Sequence, residues 1–344
     1  EVINEVINRT NLDKSELKFS LGNEILLPSA GEDPLDIGSA SALLLKDIAI
    51  GRTINILRPK VDSFYSSTFV SYYINQKLRR KISRLAKGVS ISNVYNSDLK
   101  TLNLNLPSLP EQQKIASFLT SVDKRISQLK RKKQLLEQYK KGIMQQIFSQ
   151  ELRFRQDDGS NYPDWEQKKL GEIFSERSER KKPEYELLSV TMNEGVKKRS
   201  DIEGKDNSSD NKDNYKVVEA NDLVYNSMRM WQGASGVSPY MGIISPAYTV
   251  LMSRIPVDMN YWGYLFKWNP MVFMFRRYSQ GLTSDTWNLK YPQLSTLKTF
   301  YPSIEEQTKI ANFLSAIDAK ISQTQQQIAL TQQFKKGLLQ QMFV

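Results

Sequence analysis

Residues 227–236 read SMRMWQGASG, and their side-chain types suit recognition of a nucleic-acid base edge. Arg229 offers paired N–H donors that match guanine, and Gln232 an amide that matches adenine. Trp231 has a flat face for a backbone or a distorted base step, Ser235 adds a hydroxyl, and the glycines make the stretch pliable. Residues 276–284, RRYSQGLTS, suit phosphate instead. There Arg276 and Arg277 close a predicted helix, and Ser279, Gln280, Thr283 and Ser284 line the turn after it. An analogue lies earlier in the chain: Arg79 and Arg80 precede KGVSISN, which contributes Lys87, Ser90 and Asn93. The alternatives are structural, a turn around a packed Trp in the first stretch and a solvated helix end in the others. Recurrence of the basic helix end and Gly-Ser/Thr turn favours binding.

Covalent and metal chemistry have less to work with. The 344 residues include neither Cys nor His. That removes thiol nucleophiles, Ser-His and Cys-His pairs and the commonest metal ligands. Asp164, Glu166 and Lys168 echo the carboxylate-carboxylate-lysine set of a metal-dependent nuclease, but they share one short segment rather than converging from separate strands. Asn269-Pro270-Met271-Val272 echoes an amino-methyltransferase motif without its second proline or its aromatic, and no Gly-rich phosphate loop is present. No catalytic residue, metal or cofactor is expected. A fused methyltransferase or nuclease fragment is the enzyme alternative, and a coiled-coil adaptor with no DNA role is the structural one.

The chain has no apolar run of about 18 residues and no signal-peptide layout in its opening EVINEVINRT, so a cytoplasmic protein without membrane contact is expected. Its net charge is +11 and unevenly placed. Residues 109–150 hold 9 basic against 3 acidic side chains, and residues 223–300 hold 7 against 2. Such a surface attracts a polyanion, with solvated helical lysine as the plain alternative for the first segment.

These residues need elements to hold them, and the chain states those elements twice. LPEQQKIASFLTSVDKRISQLKRKKQLLEQYKKGIMQQIF (109–148) aligns without a gap to IEEQTKIANFLSAIDAKISQTQQQIALTQQFKKGLLQQMF (304–343), offset by 195. Leu99, Leu102 and Pro107 match Leu294, Leu297 and Pro302, and residues 23–26 match 221–224. Each copy reads as a mixed globular domain, a proline and a long helix. The expected division is a first domain at 1–107, a helix at 108–148, a second domain at 149–302 and a second helix at 303–344. Residue 1 aligns near residue 199, so the first domain is expected to lack its opening part, the counterpart of YPDWEQKKLGEIF.

Within the domains, TINILRP (53–59), DLVYNSM (222–228) and AYTVLMSRI (247–255) read as strands. Residues 67–85 and 260–279 read as helices, with Pro270 kinking or dividing the second. Residues 197–216, almost without apolar side chains, read as a mobile or disordered loop. In the long helices, Ile115, Leu119, Val122, Ile126 and Leu129 follow a 4-3 spacing, as do Ile310, Leu314, Ile317 and Ile321. That is a coiled-coil seam, interrupted at Lys133 and Lys140 in one helix and at Thr324, Thr331 and Lys335 in the other. Neither helix buries its stripe alone, so antiparallel pairing is expected, with the domains at opposite ends. Tyr139, Met144 and Phe148, with Phe334, Leu339 and Phe343, exceed what one seam needs. They are candidates for a partner helix or for packing back onto the domains.

The duplicated helix motifs LPEQQKIASFL/IEEQTKIANFL and KKGIMQQIF/KKGLLQQMF, with the lead-in YPDWEQKKLGEIF, resemble the specificity subunit of type I restriction-modification enzymes. The resemblance covers essentially the whole chain. It implies an α+β fold class: two mixed α/β target-recognition domains separated by a pair of long antiparallel coiled-coil helices, an internal repeat with pseudo-two-fold symmetry. It implies a non-catalytic subunit that reads a bipartite target in double-stranded DNA, one half per domain. The helices set the spacing and dock methyltransferase subunits, two of them expected, and restriction/motor subunits join the full complex.

Overall fold

The computed structural model describes residues 2–61, 64–192, 194–206 and 208–343. It contains two compact units, residues 1–133 with 323–344, and residues 134–322. The unit boundaries cut both long helices, so each unit holds the opening part of one helix and the closing part of the other.

The first unit is built on a four-stranded sheet ordered Val2–Ile3, Ser41–Leu43, Glu24–Pro28, Ile54–Leu57, with its first pair parallel and the rest antiparallel. Ile25 and Leu27 point from the EILLP strand into the core. Ser66 starts the helix that covers this sheet, its hydroxyl accepting from the Phe69 amide. That helix runs Ser67–Tyr73, widens by one π turn at Ile74–Leu78 and resumes over Arg79–Leu85. Its residues Phe69, Tyr72, Leu78 and Ile82 join Ala116 and Leu119 of the first long helix and Phe343 near the chain end in one core.

The second unit repeats the plan. Its sheet is ordered Phe174–Glu176, Tyr248–Ser253, Leu223–Asn226, Ser235–Val237, all antiparallel. The three strands expected from sequence fall at Ile54–Leu57, Leu223–Asn226 and Tyr248–Ser253. Asp258 caps the helix Met259–Leu265. Pro270 divides rather than kinks the next stretch, because it sits in the first turn of a separate helix, Asn269–Tyr278, where a missing N–H is harmless. Trp262, Phe266 and Phe275 pack with Ile147 and Phe148 of the first long helix and with Ile310 and Leu314 of the second.

The segment 197–216 is more ordered than its composition implies. Lys197 and Lys198 lie in the strand Gly195–Lys198, which pairs with Leu188–Thr191. The Arg199 guanidinium then ties the following turn by donating to the carbonyls of Ile202, Gly204 and Lys205. Asn207, inside that segment, lies outside the described residues.

The long helices span Leu109–Phe148 and Ile304–Met342 and pack antiparallel in both units. In the first unit Lys335 pairs with Asp123 at 2.7 Å, and in the second Lys140 pairs with Asp318 at 2.6 Å. The offset of 195 turns one pair into the other. Tyr72 donates to Asp123 at 2.6 Å and Tyr264 to Asp318 at 2.7 Å. Each lysine also lies over the tyrosine ring, Lys140 at 4.7 Å and Lys335 at 5.3 Å. The seam interruptions Lys140 and Lys335 are therefore register pins. A half-buried cation there is satisfied only when the opposite helix presents its aspartate, which selects one antiparallel alignment.

A glutamine clamps each helix start to its domain. Gln112 donates to the Pro107 carbonyl at 2.8 Å and accepts from the Ser66 amide at 3.0 Å. Gln307 does the same with Pro302 at 2.9 Å and Asp258 at 3.1 Å. Both are buried, and both fix the N-cap of a domain helix.

Candidate nucleic-acid interface

In the second unit, the strand Leu223–Asn226 ends where the Asn226 side chain accepts from the Met228 amide. The chain then makes a single 3-10 turn, Met230–Gln232, anchored by the wholly buried Met230. Gly233 closes it at φ +81°, a left-handed conformation open to glycine, and a Cβ there would stand 3.1 Å from Val272 Cγ2. Lys267 braces the same point. Its ammonium donates to the carbonyls of Gly233 at 2.7 Å and Met192 at 2.9 Å. Burial, and next the charge of Lys140, pull its pKa down to about 8. Arg229 and Gln232 are left exposed on this braced turn.

A second loop joins it. After the helix Asn269–Tyr278, Gln280 and Asn288 exchange backbone hydrogen bonds of 3.0 and 2.8 Å, and Thr286 closes the enclosed turn on Thr283. The Leu289 amide donates to the Ser227 carbonyl at 2.9 Å, stitching the two loops together. The rings of Trp231 and Trp287 then meet edge to face at 5.3 Å, and the Arg276 guanidinium lies 5.3 Å from the Trp287 ring. Arg229, Trp231, Gln232 and Arg276 thus share one surface with Trp287, which the sequence reading missed. Its only signal was an aromatic shortly after the Gly-Leu-Thr-Ser turn. Arg277 is exposed in the last turn of that helix, and Gln280, Thr283 and Ser284 are exposed on the second loop.

Two residues drop out of the candidate surface. Ser235 is wholly buried in its strand and its hydroxyl donates to the Gly233 carbonyl, because a strand that returns through the sheet turns alternate side chains inward. The Ser279 hydroxyl donates to the Phe275 carbonyl at 2.8 Å, satisfying a helix-end acceptor instead of facing outward.

The first unit has the same stitch with different side chains. The Val94 amide donates to the Ser29 carbonyl at 3.0 Å, and Lys87 and Asn93 exchange backbone hydrogen bonds of 2.9 and 2.8 Å. Here the strand-end loop is acidic, with Glu32, Asp33 and Asp36. Arg79 is turned to it, donating to the Leu35 carbonyl at 2.9 Å and pairing with Asp36 at 3.3 Å. Lys87 pairs with Asp98 at 2.8 Å, a bond that raises the lysine pKa and lowers that of the aspartate. The Asn93 side chain donates to the Ile91 carbonyl. Arg80 and Ser90 are exposed. Among the described residues, no cluster of three or more acidic side chains could hold a metal ion. Asp164 is fully exposed, and Glu166 pairs with Lys168 on its own strand.

Known proteins resemble this chain in sequence and in fold. Residues 8–138 match the family model described as type I restriction modification DNA specificity domain. The specificity subunit of the StySPI type I restriction enzyme from Salmonella potsdam is 25% identical over 168 residues, 47% of this chain and 36% of that protein. The EcoKI specificity subunit from Escherichia coli K12 is 27% identical over 139 residues, 39% of this chain and 30% of that one. Over residues 8–138 the chain is similar to the DNA specificity domain of type I restriction-modification enzymes. Its matches span about a third of the length of these relatives. The crystal structure of the specificity subunit from M. genitalium shares its fold, with a TM-score of 0.60 and 18% identity over 95% of this chain and 84% of that one.

The helix residues set apart for partner proteins divide into two groups in this chain. Phe148 packs on Tyr261 and Trp268, each at 5.7 Å, and Phe343 on Phe69 at 5.3 Å and Tyr73 at 6.0 Å. Met144 and Leu339 are partly buried against the same two cores. These four therefore hold helix to domain, because the antiparallel alignment brings each helix end onto a domain's apolar face. Tyr139 and Phe334 stay half exposed, as do Leu135 and Leu330 one turn before them. No helix among the described residues is long and apolar enough to cross a membrane.

Proposed function

We propose that this chain is the non-catalytic DNA-reading subunit of a type I restriction-modification complex. Each unit reads one half of a bipartite target in double-stranded DNA. The long helices set the gap between the halves and dock two methyltransferase subunits, and restriction/motor subunits complete the assembly. One observation carries this reading: the same two-loop platform, stitched by the same backbone hydrogen bond, is built twice and furnished differently. A constant scaffold with variable side chains is what reading two unlike half-sites requires. In the second unit Arg229 and Gln232 supply base contacts, while Arg276, Arg277, Gln280, Thr283 and Ser284 supply backbone contacts. In the first unit Arg80 and Ser90 remain free to do so.

Docking of the methyltransferase falls to the exposed pairs Leu135/Tyr139 and Leu330/Phe334, each at i,i+4 spacing on its helix. The test is methylation-site sequencing of DNA from cells that express this chain with its cognate methyltransferase subunit. A gapped motif whose second half changes when residues 166–301 are exchanged supports the proposal. Methylation without a gap, or a motif unmoved by the exchange, refutes it. The isolated chain should transfer no methyl group from a labelled donor and cut no plasmid in Mg²⁺.

A further inference from the structure

Val89 and Leu282 are the most exposed large apolar residues among those described, and both are fully open to solvent. They hold equivalent positions. Each follows a left-handed glycine whose place no other residue takes without strain. Gly88 has φ +134°, and a Cβ on it would stand 2.0 Å from the Ile91 carbonyl oxygen. Gly281 has φ +141°, with the Thr286 carbonyl oxygen at 2.6 Å. Paired backbone hydrogen bonds close the base of each turn, Lys87 with Asn93 and Gln280 with Asn288. The turn is stiff, so the apolar tip is displayed rather than merely loose. Single exposed apolar residues are ordinary. The same braced display in both units, beside a basic helix end each time, is a built feature.

A sugar-phosphate backbone has little use for a branched aliphatic side chain. Duplex DNA offers apolar surface at the thymine methyl in the major groove and at ring faces of a partly opened step. We propose that Val89 and Leu282 are apolar tips that seat against bases, each in its own half-site, while the basic groups beside them hold the backbone. The inference rests on the units reading DNA, as set out above.

The experiment uses the full chain bound to its methyltransferase subunit and a duplex carrying its methylated motif, in competition with a scrambled duplex. Leu282→Ala and Val89→Ala should each lower the specific-to-non-specific binding ratio about tenfold. Each loss should be confined to one half-site and leave the salt dependence unchanged, since no phosphate contact is removed. Two arms identify the surface touched. Replacing thymine by uracil in the half-site should match the Leu282→Ala loss, and not add to it, if the methyl is read. A 2-aminopurine probe should brighten with the wild type but not with Leu282→Ala if a step is opened. The side chains are fully exposed, so folding is undisturbed. Unchanged ratios in both variants, on DNA that the wild type prefers, overturn the tips alone. A wild-type complex with no preference overturns the DNA reading and the tips together.

Discussion

Glu306 and Glu111 occupy the same place in the internal repeat, and their removal should have very unequal consequences. Glu306 is wholly buried and accepts from Arg153 at 3.2 and 2.8 Å and from the Trp165 indole at 2.8 Å. The Arg153 side chain is 23% exposed, and the hydrogen bond to Glu306 raises its pKa. Glu111 is exposed. Removing one partner of a buried ion pair costs about 3–5 kcal/mol, and an orphaned indole N–H adds about 1–3. Arg153 keeps the Pro163 carbonyl at 2.6 Å and some access to water, so the lower end applies. Glu306→Ala should therefore destabilise the second unit by about 3 kcal/mol, a fall in melting temperature of roughly 6–12 °C for a unit of this size. Glu111→Ala should shift stability by about 0.5 kcal/mol at most. All five tryptophans lie in the second unit, so urea titration followed by tryptophan emission reports that unit alone. Hydrogen exchange gives the matching stability of the first. Equal midpoints for Glu306→Ala and wild type would refute the assignment of Glu306 as the anchor of residues 153–165.

Four further outcomes are expected. Asp318→Asn should weaken the second unit by about 1–2 kcal/mol through loss of the Lys140 pair, and the swap Lys140→Asp/Asp318→Lys should recover part of it in the same titration. Glu24 is buried, which opposes its ionisation, yet the amides of Leu21, Gly22 and Asn23 and the Arg58 guanidinium outweigh this and hold its pKa below the usual carboxylate range. Its folded pKa lies below the unfolded one. Its stabilisation is therefore complete above the unfolded value of about 4.3, and is lost as pH falls through the folded value. Glu24→Gln should flatten that acid loss, read by amide exchange at residues 21–23. Arg229→Ala with Gln232→Ala should erase preference at the second half-site, each contact being worth about 1–3 kcal/mol, with subunit assembly retained by gel filtration. Tyr139→Glu with Phe334→Glu should do the reverse, weakening methyltransferase capture roughly tenfold by placing charge on a docking face while leaving the cores intact.

The duplicated unit, the long helices and three of the strands were legible in the linear chain, because recurrence and apolar periodicity are local properties of a sequence. The stretch carrying Arg229 and Gln232 was legible as a turn after a strand, and the structure leaves both side chains exposed there. Antiparallel pairing of the helices was expected too, but which side chains from distant segments meet was decided by the tertiary structure. Trp287 reaches Trp231 and Arg276 only because the Leu289 amide ties its loop to Ser227. Lys140 and Lys335 looked like flaws in a seam until the antiparallel alignment set an aspartate opposite each. Phe148 and Phe343, surplus to the seam and open by pattern to a partner helix or to the domains, are covered because that alignment lays each helix end on a domain core. Glu111 and Glu306 read alike as letters, and they differ because Arg153 and Trp165 fold onto only one of them. Periodicity fixes which face of an element seeks burial; the partner that buries it is set by long-range packing, which no local pattern encodes.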